Sequence, residues 1–539
     1  MCSVPSRAPN GSGLLRRRCV FPHRPWRANS LTPYASSMRA HAALWLLLGS
    51  LGACDGTAPN RAGKACSTDA QCDGLVCKTA SDRVPEDLAD LEFVCQPAHD
   101  GKQPGAACET GGDCLHGVCL LSGACAAPCT NDASCSPQQR CAAAYARSTT
   151  ETLASLQACV ARVDLPSDAQ VATQVRERAL RAGVAQLDLP PSAATPTLHV
   201  LEHLDDDTWP LPDSQSRCRP PLCARGLSTR DAQARVLFEL AQLPADGPDN
   251  AVATGDYVNP LTVLLPNGPR AAANPAGYTL EVEAKRAGDL RITTLSRTQR
   301  GQRLDLNLYY VGARDLVASG DRGIPTLSAA LEEVDRILAA ADIFIGEVRQ
   351  VEVHGALLDR GTPLAAAEVS QGFRYLRSQY QVLPQLPELF KLSAGAADIA
   401  LDVFLVADID AGGRDVGGIS GGTPIPLGMH GTPGSGIVIA ADMFLSNDDS
   451  KQLGRTIAHE LCHALGLFHP TEADGRVFDP LPDTPVCPID HDQNGDGILD
   501  ARECAALGGD NLMFATSDAE DTQLTPEQIN VLRQALILQ

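Results

Sequence analysis

Eleven residues carry the clearest chemistry in this 539-residue chain: His459-Glu460-Leu461-Cys462-His463-Ala464-Leu465-Gly466-Leu467-Phe468-His469. The pattern is H-E-x-x-H-x-x-G-x-x-H. On a helix, residues four apart share a face, so His459 and His463 can reach one metal ion. Glu460 lies beside them and can hold a water against that metal. Gly466 lets the chain leave the helix with positive φ, and the turn brings His469 round as a third nitrogen ligand. Three neutral imidazoles leave a tetrahedral Zn²⁺ with one open position for water, which describes a hydrolytic site and not a structural one. The chain has 12 His and 46 Gly. With Glu at about 5%, the five fixed positions would coincide by chance on the order of 10⁻⁵ times. Surface histidines on an ordinary amphipathic helix are therefore the weaker reading.

A second constellation follows at Asp492-Gln493-Asn494-Gly495-Asp496-Gly497-Ile498-Leu499-Asp500-Ala501-Arg502-Glu503. It matches the twelve-residue calcium loop of EF-hands at each diagnostic position. Asp492, Asn494 and Asp496 would supply side-chain oxygens, Ile498 its carbonyl, Asp500 a direct or water-mediated contact and Glu503 both carboxylate oxygens. The competing reading is a solvated acidic loop. Pro485 and Pro488 leave no room for an entering helix, so a structural Ca²⁺ is expected in place of a switch. Cys487 and Cys504 flank the loop and are expected to pair across it.

These residues resemble the metzincin zinc endopeptidases. The second mark of that family, a methionine turn, has its counterpart in Asn511-Leu512-Met513-Phe514. Within the family the chain is most similar to the pappalysin group, through Asp483-Thr484-Pro485, Asn511-Leu512-Met513 and Leu524-Thr525-Pro526-Glu527-Gln528. The match covers roughly the last ninety residues well. The resemblance implies an α/β catalytic domain, with a mixed, mostly parallel sheet and an active-site helix. It implies a zinc peptidase with Glu460 as general base, Met513 shaping the floor under the metal, and a protein or peptide substrate. Three positions depart from the pattern. Pro470 follows the third histidine, as in serralysins, where the pappalysin group usually has Thr. Cys462 stands where that group usually has Gly. Ala515 occupies the position at which many metzincins place a zinc-facing Tyr, so no tyrosine role carries over.

The elements that must position these residues can be read from periodicity. The catalytic domain is expected over 301–539. Strands are expected at 304–311, 343–353, 401–406 and 437–439. Thr326 can cap a helix with Leu327, Leu331, Val334 and Leu338 at helical spacing. The Gly-rich stretch 417–436 reads as a loop along the cleft. The metal helix is expected over 451–465, capped by Ser450 or Asp449, with Ile457, Leu461 and Leu465 as its buried stripe. Thr525, Pro526 and Gln528 form a capping box for a last helix, on which Ile529, Leu532 and Leu536 face the domain.

The remainder makes this a multidomain chain. Residues 198–300 have the texture of a small β-sandwich, with strands at 235–238, 261–265 and 278–282. Residues 161–197 read as a linker with one helix near 170–185. Over 66–160, twelve cysteines fall in three sets of four with C-x5-C-x4-C or C-x5-C-x5-C spacing. Units this small need disulfides, and the absence of C-x-x-C pairs argues against zinc knuckles. The block reads as a spacer or a binding stalk, its connectivity open. Residues 54–65 form a further linker. Residues 1–53 read as a leader, with translation expected to start at Met38. A basic start, an apolar run at 42–48 and Leu51-Gly52-Ala53-Cys54 resemble a bacterial lipoprotein signal, which would anchor the protein to a membrane through acyl chains on Cys54. An exported protein at the cell surface or periplasmic face is expected, or a secreted one if Cys54 is not lipidated.

Seventeen cysteines follow Cys54, an odd number; Cys462 is expected to be the one left unpaired, although it could pair with a flanking cysteine. Cys218 and Cys223 suggest a local disulfide, or, through Arg217-Cys218-Arg219-Pro220, a thiol latency switch. The formal charge is −21, which argues against nucleic acid as a partner. Two rivals to an active peptidase remain at this level: a cysteine-rich binding lipoprotein with an idle protease domain, and a zymogen whose N-terminal domains are removed.

Overall fold

The computed structural model describes residues 62–80, 93–98, 100–147, 153–163, 165–180, 183–189, 197–203, 224–231, 236–239, 253–254, 261–265, 277–284, 288–311, 325–353, 367–369, 389–407, 409–411, 416–432, 434–445, 449–479, 481–516 and 522–539. The leader, Cys54 and the Cys218–Cys223 segment lie outside these residues, as do the expectations placed on them.

One five-stranded sheet organises the C-terminal block. Its elements in chain order are β1 (Arg303–Val311), α1 (Pro325–Leu338), β2 (Phe344–Glu352), β3 (Leu401–Val406), β4 (Gly418–Ser420), β5 (Gly436–Ala440), α2 (Ser450–Leu465) and α3 (Pro526–Leu532). The strand order is β2-β1-β3-β5-β4. All pairs are parallel except β4 with β5. Thus the stretch expected as a plain loop over 417–436 contains the antiparallel edge strand β4. Three residues, Gly418-Ile419-Ser420, carry too little side-chain periodicity to announce it.

The central strands are buried on both faces, as parallel strands require. Leu304, Leu306, Leu308, Leu401, Val403, Leu405, Ile437 and Ile439 point to one side, into a core completed by α1 and α2. Tyr309, Val311, Phe404, Val406, Val438 and Ala440 point to the other. No described helix covers that second face. Its cover comes from Leu389, Phe390 and Leu392, with Leu121 and Tyr145 from the cysteine-rich block. Phe404 stacks on Tyr309 at 4.8 Å and meets Phe390 edge-on at 5.4 Å.

The cysteine-rich block therefore packs onto this sheet through Leu121 and Tyr145. Its three units share one connectivity, first to third and second to fourth: Cys66–Cys77 with Cys72–Cys95, Cys108–Cys119 with Cys114–Cys125, and Cys129–Cys141 with Cys135–Cys159. The third and fourth cysteines of each unit stand opposite one another in a small antiparallel ladder. Arg349 on β2 donates to the Ser122 carbonyl at 2.6 Å. The buried Arg140 guanidinium donates to the His430 carbonyl.

Two antiparallel sheets form the sandwich, and it starts earlier than expected. Ala169–Leu180 and Gly183–Leu189 are strands, so neither the linker nor the helix placed over this region is found. Ala169–Leu180 pairs along most of its length with Gly288–Arg297, and this ladder overrides the local helical preference of its Ala, Gln and Arg residues. Leu261–Leu265 shows how the sandwich joins the C-terminal block. Leu261, Val263 and Leu265 face the sandwich interior. Between them, Leu264 packs into the core of the C-terminal block, and Thr262 donates to the Pro424 carbonyl at 2.7 Å.

Candidate metal centre

Helix α2 starts at Asp449, whose side chain accepts the Gln452 N–H, and ends at Gly466 in the left-handed conformation, φ 116°. Nearly all of it is buried, well beyond the Ile457, Leu461 and Leu465 stripe. It lies close against α1: a Cβ on Gly454 would overlap the Ala330 carbonyl oxygen and stand 2.7 Å from Glu333 Cβ.

The three histidines converge. Their Nε2 atoms form a triangle with edges of 3.1, 3.1 and 3.0 Å. Each Nδ1 already has a partner that accepts its proton. His459 Nδ1 donates to the Leu512 carbonyl at 2.8 Å, His463 Nδ1 to the Leu467 carbonyl at 2.6 Å, and His469 Nδ1 to Glu472 Oε2 at 2.9 Å. These bonds set the tautomers. In the neutral rings the three Nε2 lone pairs then face one another. That donor set repels itself unless a cation lies among the nitrogens, and it suits a divalent metal with an affinity for imidazole.

Burial and the neighbouring rings hold His459 well below the usual histidine range, and burial brings His463 down to about 3. Burial lowers His469 too, but the Glu472 carboxylate outweighs it and the net shift is upward. Burial also drives Glu460 up to about 8, against the opposing pull of His469 and of a backbone hydrogen bond from Ser420.

The methionine turn touches this centre through its backbone. Leu512 supplies the carbonyl that orients His459 and also accepts a long 3.3 Å bond from buried Arg455. Asn511 Oδ1 accepts the Met513 N–H at 2.8 Å, and the Asn511 and Gln528 amides bond reciprocally. Gln528 and Thr525 form the expected capping box. Asp483 accepts from the Thr525 hydroxyl and the Glu527 N–H. The separate motifs at 483–485, 511–513 and 524–528 are thus one hydrogen-bonded strap ending on His459. Met513 is fully buried.

Cys487 and Cys504 form a disulfide, and Cys462 is free and buried, both as expected. In the loop they flank, Asp492, Asn494, Asp496, Asp500 and Glu503 each accept backbone N–H groups of the loop itself. Among the described residues, the histidine triad is the one cluster of His, Cys, Asp or Glu ligand atoms within 4.8 Å that is not made of cystine sulfurs. The Leu499 N–H donates to the Ala473 carbonyl at 2.8 Å, tying the loop to the turn that carries Glu472.

Sequence reasoning placed His459, Glu460, His463, His469, Gly466 and Met513 but missed Glu472 and the Leu512 and Leu467 carbonyls. An acid three residues beyond the last histidine was the available signal for Glu472. No family model matches this chain, and no curated protein matches it significantly. Among the described residues, no helix is long and apolar enough to cross a membrane.

Proposed function

We propose that this protein is a zinc-dependent endopeptidase of metzincin type, similar to the pappalysin group, acting on extracellular or periplasmic proteins from an exported, lipid-anchored chain. One observation carries the reading: three imidazoles with every Nδ1 proton engaged, their Nε2 lone pairs meeting at about 3 Å beside a buried carboxylate. The sheet order and the passage from β5 to the metal helix agree with it. Zinc, when bound, would supply Lewis acidity to a water and to the substrate carbonyl. His459, His463 and His469 would hold it, their rings oriented by Leu512, Leu467 and Glu472. Glu460 is a stronger base than a solvated carboxylate, because burial raises its proton affinity. It takes a proton from water and returns it to the leaving amine. Asp492, Asn494, Asp496, Ile498, Asp500 and Glu503 would bind a structural Ca²⁺ that stiffens the turn behind Glu472.

The test is cleavage of casein by the purified exported protein before and after stripping with a zinc chelator. Cleavage that disappears on stripping and returns with about one equivalent of Zn²⁺ supports the reading. Cleavage indifferent to zinc, or an absence of zinc binding, removes it. A rise in unfolding temperature with Ca²⁺, lost in Glu503→Gln, would support the second site; no rise in the wild type would remove it.

A further inference from the structure

Strand β4 lies against the metal helix with almost nothing between them. Gly417 and Gly418 face Thr456 and Glu460, which are one helical turn apart. A Cβ placed on Gly417 would meet Phe444 Cζ at 3.2 Å and Thr456 Cγ2 at 3.3 Å, contacts that small shifts can relieve. A Cβ placed on Gly418 would stand 2.6 Å from Glu460 Cγ, 3.0 Å from Oε1 and 3.1 Å from Cδ. Gly418 is not among the glycines with positive φ, so space, not backbone freedom, requires glycine here.

Both sides are held. Glu460 is carried between Ile457 and Leu461, both fully buried. Strand β4 is pinned to β5 by the pairs Gly418 with Ile439, Ile419 with Val438 and Ser420 with Ile437, whose β5 members are fully buried. An added methyl must therefore move the Glu460 side chain, by about 0.8 Å to restore ordinary contact at 3.4 Å.

We infer that Gly418 is a positioning residue for Glu460: its missing side chain leaves the slot in which the carboxylate is held between the sheet edge and the metal helix. The catalytic consequence rests on the peptidase reading above. Displacing a proton-transfer group by about 1 Å costs on the order of 10- to 100-fold in turnover.

The test compares wild type, Gly418→Ala and Gly417→Ala as full exported chains. It measures bound zinc, unfolding temperature, kcat and KM on a fluorogenic peptide, and the visible spectrum after cobalt(II) loading. The expected Gly418→Ala protein binds about one metal, unfolds near Gly417→Ala and keeps KM within about threefold, but loses about 10- to 100-fold in kcat. Its cobalt band shifts from wild type, whereas that of Gly417→Ala does not. Wild-type kcat with a wild-type cobalt spectrum overturns the inference. So does loss of metal or folding beyond that of Gly417→Ala, since the glycine would then be structural. If wild type loads metal yet cleaves nothing, the peptidase reading fails by itself. The cobalt comparison then decides the placement of Glu460: a shift confined to Gly418→Ala upholds it, and no shift overturns it.

Discussion

Each imidazole of the triad is held by an acceptor on its far nitrogen, and only one of these acceptors is charged. Glu472 increases the basicity of His469 and fixes its ring. Replacing Glu472 with Ala is expected to weaken zinc binding about 10- to 100-fold, with Gln between Ala and wild type. Competition against a chromogenic chelator measures this, and an unchanged affinity would show that the contact is incidental. The ligands were legible in the sequence because helix geometry is local. Their supports were not, because the Leu512 carbonyl reaches His459 from fifty-three residues away.

Of the described buried histidines outside the centre, His430 is the one paired with a buried carboxylate. His430 Nδ1 donates to Asp402 Oδ2 at 2.7 Å and its Nε2 to the Asp398 carbonyl at 2.8 Å, while its own carbonyl accepts from Arg140. Burial opposes a charged ring here, but the Asp402 carboxylate outweighs it and raises His430 to about 9. A raised histidine stabilises the fold fully below its unfolded pKa of about 6.5, and the contribution disappears as pH rises through 9. Its size is on the order of 3 kcal/mol. Urea midpoints should fall between pH 6.5 and 9 more steeply in wild type than in His430→Gln, which should already be weaker at pH 6. Parallel curves for the two proteins would contradict this assignment.

At the scale of elements, the packing of α2 on α1 decides where the metal helix sits. Gly454 is the point of closest approach. Gly454→Ala adds helix propensity worth up to about 1 kcal/mol, but the overlap with Ala330 and Glu333 costs about 1–3 kcal/mol. A net loss is expected in chemical denaturation; net stabilisation would mean that the helices separate freely. Strongly periodic elements such as α1 and α2 could be read from the chain. Ala169–Leu180 could not, because what makes it a strand is the ladder with Gly288–Arg297, more than a hundred residues away. The edge strand β4 escaped for a related reason: its role is to lie against Glu460, which no local pattern encodes.

At the scale of the whole molecule, the sheet is the common support. Its helical face carries the histidine triad, and its other face is closed partly by Leu121 and Tyr145 of the cysteine-rich block. Three cystine units were visible in their spacing, but the surface they cover was not, since packing partners leave no mark on cysteine intervals. If this cover is needed, the fragment 301–539 should be poorly soluble and bind hydrophobic dyes through the exposed side of β3 and β5. A soluble, well-folded fragment would favour the alternative in which the N-terminal blocks are removed on activation.

The most direct measurement takes zinc content and casein cleavage from the same sample, for wild type and for Glu460→Ala, in the full exported chain. The expected result is about one zinc per chain in both proteins, with cleavage in the wild type and a loss of at least about 100-fold in the variant. A wild type that binds no zinc, or a Glu460→Ala protein that cleaves as fast as wild type, would contradict the account.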